Sequence, residues 1–357
     1  MEKRHPVNPI LEKRQSCIRG LFPAGVPRLW CPLLTHYRGD GGIDFDRMSA
    51  QFHHIVPWVK GFLIPGSTGD GWELDEQETM QVAEFALQEA RKQPIYLLLG
   101  ALRRDTESMQ RTMSGMLKVM APKGPRGGDV LQMLKEKRVC GITVCPPAGN
   151  LLTQPAMEAG LAAVLDLGLP TALYQLPQVT QNEVSPDTFS RLLEKYDNLI
   201  FFKDSSGQDR IARSAVDKGG VFLVRGAEGD YAKWLQDTGG PYAGFLLSTA
   251  NCFARELSTL IGHLEKKDLK KAAEISERLT AAITEVFELV QPLPFGNAFT
   301  NANKAIDHFL AFGSRADTKE GPMLHAKVRI PGDIIAKTGA ILNRLQMMPA
   351  TGYLEES

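Results

Sequence analysis

Lys203 closes the apolar run Leu199, Ile200, Phe201, Phe202, and a lysine is rarely left fully buried there without a partner. If the run is a strand inside the protein, the ammonium loses its hydration, its pKa falls and free amine accumulates. A free amine in a dry pocket attacks a ketone or aldehyde to give a Schiff base, whose iminium draws electrons from the neighbouring carbon. A bond to that carbon can then break or form through an enamine. Such chemistry needs a proton carrier, and Tyr174, in "TALYQLP" on what reads as the preceding strand, supplies a phenol. In "PGSTGDG" (65–71), Gly66 and Gly69 permit tight turns whose N–H groups can face a carboxylate, as of a 2-oxo acid. Ser67 and Thr68 add hydroxyls that could hold that anion or relay protons to Tyr174.

Each of these has a plainer reading. Lys203 could pair with Asp204 or another carboxylate, and Tyr174 could be a core aromatic with a satisfied hydroxyl. The glycine-rich segment could be a strand-to-helix turn, with Asp70 or Asp75 capping the next helix. The chemical reading gains weight only if one architecture brings all three to the same rim.

The rest of the chain supplies that architecture. Apolar runs at 26–34, 61–66, 94–100, 139–146, 171–177, 199–204, 221–226 and 243–249 alternate with amphipathic stretches such as 75–93 and 185–196. Continuous apolar strands separated by helices imply a parallel sheet covered by helices. Eight such units in this length predict an α/β fold, a (β/α)₈ TIM barrel, in preference to an open doubly wound sheet. Barrels of this kind place their chemistry at the C-terminal ends of the strands, where all three features fall. Beyond Ile261 the strand signal stops, and 268–290, 296–313 and 332–346 read as helices. The expected organisation is an N-terminal arm (1–20), a barrel (21–262), a C-terminal helical region (263–346) and a tail (347–357), with 121–129 an exposed loop insertion.

The ordered set "PGSTGD", "YQLP", "FFKDSSG", "VRGAEGDY" (224–231) and "STAN" (248–251) resembles the dihydrodipicolinate synthase and N-acetylneuraminate lyase family of Schiff-base barrel enzymes. The resemblance spans about residues 22–330. It implies Lys203 as the imine-forming lysine, Tyr174 as the proton-shuttling tyrosine, and Ser67 and Thr68 in the loop that holds the carboxylate of pyruvate or a similar substrate. It also implies a lyase without a cofactor, a three-helix C-terminal region and a homotetramer. Two departures narrow the activity. "CPPAGN" (145–150) puts Pro147 and Ala148 where dihydrodipicolinate synthases carry paired aromatics that join the proton relay across an interface. Val179 stands where those synthases place an arginine near incoming carboxylates. The expectation is therefore another 2-oxo acid aldolase or lyase. A dehydratase on a 2-oxo sugar acid, dihydrodipicolinate synthase itself, and a non-catalytic 2-oxo acid-binding or assembly homologue are the alternatives.

Composition excludes other classes. Lys plus Arg and Asp plus Glu both number 41, so no net field draws the chain to nucleic acid or an anionic membrane. Five scattered cysteines argue against a disulfide framework and for a reducing, cytoplasmic setting. No stretch is apolar for long enough to span a bilayer, and the start lacks a signal-peptide core. His53 and His54 are adjacent, which on a helix makes them diverge, and no metal is expected.

Overall fold

The computed structural model describes residues 8–124 and 128–355. Residues 125–127, within the expected loop insertion, lie outside the described residues; its described neighbours 122–124 and 128–129 are exposed. Eight strands, β1 (Leu29–Cys31), β2 (Gly61–Ile64), β3 (Tyr96–Gly100), β4 (Val139–Val144), β5 (Thr171–Gln175), β6 (Leu199–Asp204), β7 (Phe222–Arg225) and β8 (Gly244–Leu246), close into a barrel in sequence order. Every neighbouring pair is parallel, including β1 with β8. The ladders are shorter than the apolar runs because Pro27 and Pro32 flank β1 and Pro65 follows β2, and proline has no N–H to donate.

Helices α2 (Phe45–Ile55), α3 (Glu76–Lys92), α4 (Thr106–Met120), α5 (Val130–Glu136), α6 (Gln154–Leu165), α7 (Pro177–Thr180), α8 (Pro186–Lys195) and α9 (Arg210–Arg213) join the strands as far as β7. Their starts follow local chemistry: Asp75 and Glu78 form a capping box at α3, and the Ser185 side chain caps α8 ahead of Pro186. The helical layer thins after β6 and β7, where α9 is a single turn and only 3₁₀ turns precede β8. Glycines crowd these connections, and Asp209 and Asp230 take positive φ, which interrupts helix propagation. The C-terminal helices α10 (Ala254–Glu265), α11 (Leu269–Val290), α12 (Ala298–Phe312) and α13 (Gly332–Arg344) follow β8. The second of them covers part of the gap, its Thr280 and Ser276 hydroxyls accepting from the amides of Asp230 (2.9 Å) and Ala232 (3.2 Å).

Within the N-terminal arm, Pro9–Leu21 forms α1, which closes the end of the barrel opposite the expected site. Leu21 and Phe22 pack with Trp30, Leu98, Phe201 and Val224 of the barrel interior. Buried Arg14 donates to the carbonyls of Leu193, Tyr196, Leu199 and Gly219, so it fastens the start of β6, the strand that carries Lys203. Arg14→Ala leaves those carbonyls without their donor and is expected to cost about 3 kcal/mol of stability in urea unfolding. A loss below about 0.5 kcal/mol would mean that water replaces the guanidinium at no cost.

Candidate active site

Side chains alternate along β6. Phe202 faces the helical layer against Phe189 (4.8 Å between ring centroids), and Phe201 faces the interior against Trp30 (5.2 Å). Two residues further on, Lys203 turns into the barrel at its C-terminal rim and is 4% exposed. The β5–β6 register pairs Tyr174 with Lys203, and Nζ lies 3.9 Å from the centre of the tyrosine ring. Close backbone approach makes this fit possible: a Cβ on Gly226, just past β7, would lie 2.6 Å from Lys203 Cε and 2.1 Å from Ser205 Oγ.

Asp204 points to the other face, where it accepts from the Ser206 amide (2.9 Å), so it is not the partner of Lys203. Among the described residues Lys203 has no ion-pair partner. The chain buries a second lysine nearby, Lys304 on α12, and the contrast between them is informative. Lys304 lies 3.3 Å from Asp70 Oδ2 and donates to it, so burial lowers its pKa while Asp70 opposes the change. For Lys203 burial dominates, opposed only at longer range by Cys145, Glu228 and Cys31, and the pKa falls to about 7. At that value Lys203 has a substantial free-base fraction near neutral pH.

The Tyr174 hydroxyl faces the hydroxyls of Ser67 and Ser205. Burial raises its pKa above the ordinary phenol value, and the contacts with Ser67 and Ser205 pull it part of the way back. Ser67 opens a 3₁₀ turn, Ser67–Gly69, that follows β2. The loop is pressed against its surroundings: a Cβ on Gly69 would lie 2.3 Å from the Leu33 carbonyl, and one on Gly66 would lie 2.7 Å from Pro32 Cβ. The amides of Gly69, Asp70 and Gly71 are spent on the loop's own carbonyls. Among the described residues those of Ser67 and Thr68 have no internal acceptor. Thr68 is buried beside Ser67, but the hydroxyl that meets Tyr174 is that of Ser67.

The strand-to-helix reading of this segment is also correct in part, since Asp75 caps α3. Asp70 instead accepts from Tyr37 (3.0 Å) and Lys304 (3.3 Å). With Thr300 donating to the Thr68 carbonyl (3.0 Å) and Asn297 to that of Ser67 (3.3 Å), α12 clamps the loop from more than 200 residues away in sequence.

Three more residues take part in the site. Glu228, beyond β7, accepts from the hydroxyls of Ser248 (2.6 Å), Thr249 (2.6 Å) and Tyr231 (2.8 Å) and from the Thr249 amide (3.0 Å), which ties the rims of β7 and β8 together near Lys203. Ser205 follows Lys203 directly. Trp72 donates from Nε1 to Ser67 Oγ (2.7 Å). Indole is donor-only, so this contact turns the Ser67 proton toward Tyr174. Ser205 and Glu228 lie just past strand ends in segments quoted for their resemblance, and Trp72 directly follows "PGSTGDG"; those positions are the available signal. "CPPAGN" brings no second phenol to Ser67: the Ala148 amide is held by the Arg104 carbonyl (2.7 Å). His53 and His54 diverge, His53 toward Ser49 (2.8 Å to its carbonyl) and His54 stacked on Tyr353 at 4.7 Å. The described residues contain no group of three or more His, Cys, Asp or Glu placed to share a metal.

The class that these observations define is a closed (β/α)₈ barrel with a C-terminal helical region and a lysine, without an ion-pair partner among the described residues, buried at the C-terminal rim of the strands. Residues 129–302, from the start of α5 into α12, match the model of the Dihydrodipicolinate synthetase family. It is 24% identical over 270 residues to the 4-hydroxy-tetrahydrodipicolinate synthase of Agrobacterium fabrum, covering 75% of this chain and 83% of that one. It is 25% identical over 269 residues to that of Stutzerimonas stutzeri, covering 73% and 83%. In fold it is similar to YagE, a prophage protein of the dihydrodipicolinic acid synthase family from E. coli K12 solved in complex with pyruvate. That match has TM-score 0.70 and 18% identity, covering 90% of this chain and 99% of that one. Dihydrodipicolinate synthase from Aquifex aeolicus aligns with TM-score 0.66 and 19% identity over 90% and 99%.

Proposed function

We propose that this protein is a lyase of the class I aldolase type, which joins Lys203 as an imine to pyruvate or a pyruvate-derived 2-oxo acid. One observation carries the reading: an unpaired amine, buried at the rim, stands 3.9 Å from the ring of a buried phenol on the adjacent strand. The free amine adds to the ketone, the carbinolamine expels water with a proton delivered by Tyr174, and the iminium remains. In the cleavage direction Tyr174 takes the proton of the substrate's 4-hydroxyl. The C3–C4 bond breaks, the electron pair moves into the enamine, and an aldehyde leaves. Protonation of the enamine and hydrolysis then release pyruvate and the amine. The free amides of Ser67 and Thr68 suit the carboxylate, with Ser67 holding Tyr174 in line. The family resemblance adds the expectations of a cytoplasmic homo-oligomer without a cofactor. No helix among the described residues is long and apolar enough to cross a membrane.

The reading is tested by mixing the protein with pyruvate and borohydride and weighing it. The expected gain is one pyruvic acid less one oxygen atom, at one site, mapped to Lys203. Absence of any adduct with pyruvate or other 2-oxo acids would favour a non-catalytic homologue. Because only the neutral amine attacks, the trapping rate should rise with pH through a midpoint near 7, the lowered pKa of Lys203, and level off above it. A midpoint above about 9 would mean that the amine is solvated and unperturbed.

A further inference from the structure

The reading above leaves the second substrate open, and the cavity over the site bears on it. The space, of about 480 Å³, is within the usual range for a small-molecule site. Ser205 and Glu228 form its inner edge, so it adjoins the residues that meet Tyr174 and Lys203. Its wall is the inner face of α11 and the start of α12: Ile283, Phe287 and Phe299, the two phenylalanines edge to face with centroids 5.1 Å apart. Gln178 is fixed by its amide nitrogen to the Ser205 carbonyl (3.2 Å), which leaves its amide oxygen to accept from a hydroxyl. The charged side chains lining this cavity are the carboxylates of Glu228 and Glu288, and no lysine or arginine is among the described residues that line it. Val179, two residues past the strand-five turn, packs with Tyr174, Leu102 and Cys145 and offers no charge.

We propose that this cavity takes an uncharged aldehyde with an aromatic or long aliphatic body, and selects against aldehydes that carry a carboxylate or phosphate. An anionic aldehyde would lose its hydration beside two carboxylates with no cation to receive it. An aromatic ring buries its area against Phe287 and Phe299, and the alkoxide formed at the new C–C bond takes its proton from Tyr174. A cationic aldehyde fits less well, because Glu228 already accepts from four donors and Glu288 is exposed.

The proposal rests on imine formation at Lys203, and the test separates the two. The full-length protein is first trapped with pyruvate and borohydride; no adduct removes the catalytic reading and this inference with it. With the adduct secured, condensation of pyruvate is followed with benzaldehyde, hexanal, succinic semialdehyde and 4-aminobutanal. The expected kcat/KM for the first two exceeds that for the semialdehyde by about tenfold or more. Phe287→Ala should lower the benzaldehyde value by about tenfold and leave pyruvate trapping unchanged. Equal or greater use of the semialdehyde or aminoaldehyde, an unchanged preference in Phe287→Ala, or adduct formation without use of any aldehyde would each overturn the inference while the imine stands.

Discussion

Lys203→Met should give a protein that no longer takes up pyruvate yet is harder to unfold. Methionine matches the length of the lysine stem and has no amine, so trapping with borohydride should give no mass gain and turnover should fall to background. The gain in stability follows from the displaced titration. In the unfolded chain the amine titrates near 10.5 and in the folded protein near 7, a difference equivalent to up to about 5 kcal/mol against burying the charged form. Below pH 7 the amine is protonated in both states and the full cost is present. Between 7 and 10.5 the unfolded chain holds a proton that the folded one does not, so wild-type stability rises with pH and the cost fades. The advantage of Lys203→Met in denaturant unfolding should therefore be largest near pH 7 and below, and shrink toward pH 10. A pH-independent difference, or a variant less stable than wild type at pH 7, would show that Lys203 is not carrying a desolvation penalty.

Tyr174→Phe should separate capture from turnover. The ring beneath Nζ is kept, so the dry surroundings that lower the lysine pKa survive and most pyruvate trapping remains. The proposed proton carrier is gone, and kcat should fall by about two to four orders of magnitude. The readout distinguishing chemistry from packing is the split itself: trapping near wild type with kcat collapsed. Loss of both in proportion would instead indicate a damaged pocket, and unchanged turnover would take Tyr174 out of the mechanism. Ser67→Ala should act in the same direction but less strongly, since it removes a hydrogen-bond neighbour of the phenol and leaves the phenol in place.

The site was legible to different depths. Lys203 and Tyr174 could be located because each interrupts or ends an apolar strand, and a parallel barrel sends the ends of all its strands to one mouth. The plainer alternatives could not be eliminated from residue types alone. Asp204 is adjacent to Lys203 in sequence, and only the alternation of the folded strand places it on the other face. Lys304 sits in an ordinary amphipathic stretch, and nothing local distinguishes a buried, paired lysine there from a solvated one. Its pairing with Asp70 across 234 positions appears only when α12 docks on the loop. The hydrogen bonds made by Trp72, Ser205 and Glu228 could not be read from the sequence, because a hydrogen bond depends on directions that spacing does not specify.

The sequence by itself determined the eight strands, the barrel they close, the helical C-terminal region and the rim on which the amine and the phenol lie. These follow from periodicity, proline and glycine punctuation, and the parallel topology that buried apolar strands require. Tertiary structure alone decided which lysine is left without a counter-ion, which hydroxyl meets the tyrosine, how α1 and α12 secure the two ends of the site, and what lines the cavity above it. Desolvation, pairing and hydrogen-bond direction depend on atoms brought together from distant parts of the chain, and those distances exist only once the barrel has closed.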